Sequence, residues 1–229
     1  MAGQLVEFPS NGVGCEGYLA IPESGSGPGV IVLQEWWGLV GHITDVCDRF
    51  AAEGFVALAP DLYHGESTTS PDDAGKLMMA LNIDRAERDM RGAIDYLLSL
   101  DATPGDRVGT VGFCMGGQLS LYAACANEKV GACVDFYGVH PAVTPNLATL
   151  SAPVLGFFAE NDGFVPPEVA RQLEADVTAA GKDIQIHIFD GADHAFFNDA
   201  RPEVYHEGYA EECWSRMLEL FRAHLGPIG

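Results

Sequence analysis

Chemistry is suggested most clearly by the segment Gly112-Phe113-Cys114-Met115-Gly116-Gly117. It closes an apolar stretch, Thr110 to Phe113, and opens a helical one. The spacing is that of the G-x-S-x-G nucleophile elbow, with cysteine in place of serine. Glycines on both sides suit a tight, strained turn that lets neighbouring backbone approach. A cysteine at a helix N-terminus faces backbone N–H groups and the positive end of the helix dipole, so a lowered thiol pKa is expected. The plainer reading is a buried cysteine in a glycine-rich turn. No G-x-S-x-G occurs elsewhere, and this segment matches neither G-x-G-x-x-G nor a Walker A pattern.

A nucleophile on such an elbow needs an acid and then a histidine further along the chain. Asp162 fits the acid. It lies in Glu160-Asn161-Asp162-Gly163, after an apolar run and before a helix start at Pro166. His194 fits the base, in the loop Asp190-Gly191-Ala192-Asp193-His194. Taken singly, each also reads as an ordinary turn residue. Glu160, Asp190 and Asp193 are rivals to Asp162. In the triad reading the Cys114 thiolate attacks an acyl carbon, His194 stabilises it and later activates water, and Asp162 holds the imidazole tautomer. The oxyanion donors expected are the N–H of Met115 and that of Trp36, after the first buried strand. Glu35 ends that strand. A carboxylate there is costly unless paired or protonated, and an ion pair or surface charge is its plainer reading.

The elements that must position these residues alternate. Strands are expected at Cys15–Pro22, Gly29–Glu35, Phe55–Asp61, Arg107–Phe113, Val130–Tyr137 and Pro153–Ala159, with an alternating edge strand at Asp183–Phe189. Helices are expected at Ile43–Glu53, Pro71–Leu81, Asp84–Leu100, Met115–Ala126, Pro166–Ala180 and Glu203–Leu225. In the last of these, Tyr209, Trp214, Met217, Leu218 and Phe221 face inward. This order predicts one α/β domain over residues 1–229, with a mainly parallel sheet and helices on both faces.

Composition narrows the partners. The 229 residues carry 33 Asp+Glu against 12 Lys+Arg, a net charge of −21. No basic stripe exists for a nucleic acid or an anionic membrane. No apolar run reaches membrane-spanning length, and residues 1–9 lack the features of a secretory signal, so a cytoplasmic protein is expected. The six scattered cysteines include no C-x-x-C pair and read as reduced thiols.

Together these residues resemble the dienelactone hydrolase family. The matching stretches are Gln34-Glu35-Trp36-Trp37-Gly38, Ala59 to Gly65 (APDLYHG), Gly112 to Gly117, Phe136-Tyr137-Gly138, Asp162 to Pro166 (DGFVP) and Gly191 to Phe196, in the family's order over about residues 15–225. The resemblance implies a compact α/β-hydrolase fold with no large cap domain, and a Cys-His-Asp triad at Cys114, His194 and Asp162. It also implies that Glu35 contacts the resting thiol and helps activate it when substrate arrives. The family's reaction opens dienelactone, an enol-lactone, to maleylacetate in chlorocatechol degradation, without a cofactor.

The sequence departs from the family pattern at the substrate grip. Arginines that hold the substrate carboxylate are missing: Asn198 stands four positions after the histidine, and Ser67 to Asn82 offers only Lys76. Ala195 replaces the serine that usually follows the histidine. A bidentate guanidinium is not replaced by an amide or a lone lysine. A less charged small-molecule ester or lactone is therefore expected, with Trp37, Tyr63, His64, Tyr137 and Phe196 joining Trp36 as candidate pocket walls. A core role is open to each aromatic. A monomer or small homo-oligomer fits. Two other readings stay in view: a sensor with a reactive Cys114, and a metal hydrolase using Asp61, His64 and Glu66. The latter cluster lacks a helical His-x-x-x-His spacing, so no metal is expected.

Overall fold

The computed structural model describes residues 3–10 and 12–226. Eight strands form one sheet: β1 (Gln4–Ser10), β2 (Val13–Ala20), β3 (Gly29–Leu33), β4 (Val56–Pro60), β5 (Val108–Phe113), β6 (Val130–Phe136), β7 (Val154–Ala159) and β8 (Ile184–Phe189). Six helices accompany them: α1 (Gly41–Ala52), α2 (Pro71–Ala80), α3 (Ile83–Ser99), α4 (Met115–Ala126), α5 (Pro167–Ala179) and α6 (Glu207–His224). The sheet order is β1-β2-β4-β3-β5-β6-β7-β8. The pairs β1/β2 and β2/β4 are antiparallel and the rest parallel.

The central strands are apolar on both sides because both sides are covered. In β3, Val30 and Val32 join one core cluster with Ile43, Val46 and Phe50 of α1 and Met217, Leu218 and Phe221 of α6. Ile31 and Leu33 join the other, with Met90, Ala93, Ile94 and Leu97 of α3 and Leu119 and Leu121 of α4. Tyr209 and Trp214 of α6 are only half-buried, at the margin of the first cluster.

Most boundaries shift by one or two residues, and two of the shifts have a direct cause. The Cys15 strand begins at Val13 because it pairs with β1, for which the sequence alone predicts no element. The last helix starts at Glu207 instead of Glu203, with His206 capping the N–H of Tyr209. Strand β8 is the expected edge strand, paired on one side only. Among the described residues no inserted domain covers the ends of the strands.

Candidate active site

Cys114 is the single residue between β5 and α4, with φ 53° and ψ −119°. That conformation costs a non-glycine residue on the order of 1–3 kcal/mol, and the packing around it holds it. A Cβ at Gly112 would strike the carbonyl of Gly116, and one at Gly116 would strike that of Leu33. The two glycines let the turn fold under the end of β3. The N–H of Cys114 donates to Phe136 O at 3.0 Å, and its carbonyl accepts from Val139 N at 3.1 Å.

The side chain is only 7% exposed. Burial pushes the thiol pKa up, and the neighbouring Glu35 and Asp162 charges push the same way. The backbone N–H groups of Met115 and Trp36 pull it down, so both expected oxyanion donors act on this sulfur, but burial wins. The lowered thiol pKa expected from helix position alone is corrected here. The helix end and donors are present, yet desolvation and a carboxylate outweigh them.

Glu35 is 2% exposed, and its Oε2 accepts from Asn198 Nδ2 at 2.8 Å. The buried acid is thus satisfied by a neutral amide instead of a cation.

Asp162 and His194 meet: His194 Nδ1 lies 2.6 Å from Asp162 Oδ2. The other carboxylate oxygen accepts the N–H of Phe164 at 2.7 Å and of Val165 at 2.9 Å, which fixes its direction. The imidazole packs between Tyr137, at 4.8 Å between centroids, and Phe164, at 5.0 Å. Its Nε2 is buried with no partner. Of the rival acids, Glu160 accepts the N–H of Gly191 at the surface, and Asp190 and Asp193 are exposed.

A cavity of about 50 Å³ is lined by Glu35, Trp36, Trp37, Met78, Cys114, Phe164, His194, Ala195 and Arg201. Trp36 and Trp37 line it. The other aromatics lie elsewhere. Tyr137 is fully buried, supporting His194 from below, and Phe196 is core. Tyr63 is buried with its hydroxyl 3.3 Å from Met115 Sδ, and His64 turns to Asp89 at 2.7 Å. Asp61, His64 and Glu66 do not converge. The Asp61 carboxylate accepts the N–H groups of Tyr63 at 3.0 Å and Gly65 at 2.6 Å, stabilising its own turn, and Glu66 is exposed.

Sequence reasoning missed Met78, Phe164 and Arg201. Arg201 supplies a guanidinium to the cavity from a position other than the two family clamp positions, which carry none. Its Nη2 lies 2.9 Å from Glu203, leaving the group half-exposed at the cavity edge. It lies seven positions after His194, in a loop reversed by the bonds Asn198 N to Ala195 O and Arg201 N to Asn198 O.

The dienelactone hydrolase family profile matches residues 15–225. "Protein usf" of Aquifex pyrophilus is 39% identical over 97% of this chain and 99% of its own length. A protein of Aquifex aeolicus provisionally named a carboxymethylenebutenolidase is 38% identical, with the same coverage. The crystal structure of a protein of Klebsiella pneumoniae, provisionally named a dienelactone hydrolase, superposes with a TM-score of 0.87 at 30% identity. That match covers 96% of this chain and 97% of that one.

Proposed function

Because the chain belongs to the dienelactone hydrolase family of α/β-fold hydrolases, we propose that it hydrolyses small lactones or activated carboxylic esters, without a cofactor, through a thioester on Cys114. The observation that carries this reading is a convergence. Cys114, His194, Glu35 and Trp36 line one cavity, and Asp162 holds His194 from behind.

In the proposed cycle the Nδ1–H of His194 stays on Asp162, which leaves the Nε2 lone pair to take the thiol proton. Sulfur then bonds to the acyl carbon, and the carbonyl electron pair moves onto oxygen. The N–H groups of Met115 and Trp36 face the sulfur and hold that oxyanion. Collapse breaks the acyl–oxygen bond, and the imidazolium returns its proton to the leaving oxygen. In a lactone that oxygen stays tethered to the acyl group. Water, deprotonated by Nε2, cleaves the thioester and restores the thiol. Glu35 keeps the resting thiol protonated, which protects it from adventitious electrophiles until substrate fills the cavity.

The charges around the cavity favour a substrate with no more than one negative charge. One guanidinium, shared with Glu203, lines the same cavity as the buried Glu35, and the chain as a whole carries −21.

The test is a substrate panel spanning dienelactone, neutral lactones and aryl acetates, with and without EDTA. Turnover of the neutral members, unchanged by EDTA, is expected. No turnover anywhere, with stoichiometric modification of a thiol, would instead identify a sensor.

A further inference from the structure

Cys15 of β2, His64 in the turn after β4 and Asp89 of α3 bring a sulfur, an imidazole nitrogen and a carboxylate oxygen within 4.8 Å of one another. None lines the cavity above Cys114. We propose that these three side chains form a binding site for a divalent transition-metal ion of borderline softness, such as Zn²⁺ or Co²⁺, with water as the fourth ligand.

The donor set selects the ion class. One thiolate, one imidazole and one carboxylate suit zinc-like ions, whereas hard cations such as Mg²⁺ prefer oxygen alone. Bond lengths of about 2.0–2.3 Å in a tetrahedron place ligand atoms roughly 3.3–3.8 Å apart. His64 Nε2 and Asp89 Oδ2 now share a hydrogen bond at 2.7 Å. An ion replacing that proton would open the pair by roughly half an ångström and draw the sulfur in by up to about one ångström.

The surroundings are prepared for this. Asp89 is 1% exposed, and the Ser10 hydroxyl donates to its other oxygen, holding the carboxylate as an outer partner of a metal ligand would. Two carboxylates, Asp89 and Asp61, lie near the Cys15 sulfur. Their negative field favours a dication beside them. The His64 side chain is 19% exposed and borders a cleft of about 160 Å³ shared with Asn82 and Arg85, which gives the ion and its water a way in. Binding exchanges the S–H bond for an S–metal bond and releases the proton to solvent, so affinity rises with pH.

The experiment titrates the full-length protein, stripped by a chelator and exchanged into clean buffer, with Co²⁺ alone. One equivalent binding with a thiolate-to-cobalt charge-transfer band in the near ultraviolet is expected. Zn²⁺ should displace it and raise Tm by about 5–10 °C at ~100-fold excess over Kd. Cys15→Ser and His64→Gln should each weaken binding at least ~10-fold, Cys15→Ser should abolish the band, and Cys114→Ser should keep it. No band in excess Co²⁺ would overturn the proposal, as would a band that survives Cys15→Ser or one lost in Cys114→Ser.

Discussion

The molecule holds two Cys, His and Asp groupings, and they differ in backbone more than in residue type. Cys15 sits within a strand, its thiol 3.4 Å from Glu16 O and 3.7 Å from Asp61 O, so carbonyl acceptors hold its proton. Cys114 sits alone on a positive-φ turn, with the N–H groups of Met115 and Trp36 on its sulfur and a cavity above it. His64 pairs with Asp89 through Nε2, whereas His194 uses Nδ1 on Asp162 and leaves Nε2 unpartnered. Burial raises both thiols. What separates a nucleophile from a buried thiol here is who faces the sulfur and whether an acyl carbon can reach it.

Substitution at equivalent members should split the two sites. Cys114→Ala should lower kcat by ~10⁴-fold or more, while Cys15→Ala keeps kcat within about threefold, read as initial rates on an aryl acetate. Equal losses in both would erase the distinction. Asp162→Asn should cost about 10³–10⁴-fold in kcat by freeing the tautomer. Asp89→Asn should instead leave kcat nearly unchanged and lower stability by about 2 kcal/mol, since the amide keeps an acceptor oxygen for only one of His64 and Ser10. Denaturant titration alongside kinetics reads both.

A finer test concerns the cation at the cavity edge. Arg201→Gln should raise KM roughly tenfold for an ester carrying a carboxylate on its acyl group and leave the neutral isostere unchanged, since one exposed, charge-assisted contact supplies about 1–2 kcal/mol. Equal effects on both substrates would remove Arg201 from recognition.

The smallest effect probes the floor of the elbow. Asp135 is fully buried beneath Gly117 and Gly138, and burial raises its pKa to about 7. A carboxyl raised above its unfolded value contributes stability below about pH 4 that is lost as pH rises through about 7. Asp135→Asn should therefore gain Tm over wild type at pH 8, with a smaller gain at pH 5, measured by thermal melts. A difference independent of pH would show that the carboxyl does not titrate in this range.

Much of this was legible because central strands announce themselves. The runs Gly29 to Leu33 and Val154 to Ala159 are apolar on both faces, and chemistry sits where each stops. The Cys114, Asp162 and His194 positions followed from strand ends and chain order, so the fold that joins His194 to Asp162 was already implied. Strand β1 was not legible. It is an edge strand containing Pro9, largely exposed on one side, and its partner is found only through pairing. Arg201 escaped for another reason. It reaches the cavity through a loop set by backbone hydrogen bonds, which carries no periodicity. Tyr137 and Phe196 were open to either role, since an aromatic next to a catalytic loop looks the same from sequence whether it walls the cavity or supports it.

The thioester itself is the most direct test. Wild-type protein mixed with an aryl ester and quenched in acid within the first turnovers should carry one acyl group, and peptide mass spectrometry should place it on Cys114. His194→Gln should accumulate or lose that adduct without moving it. An acyl group found on another residue, or multiple turnovers by Cys114→Ala with no adduct at all, would contradict the account.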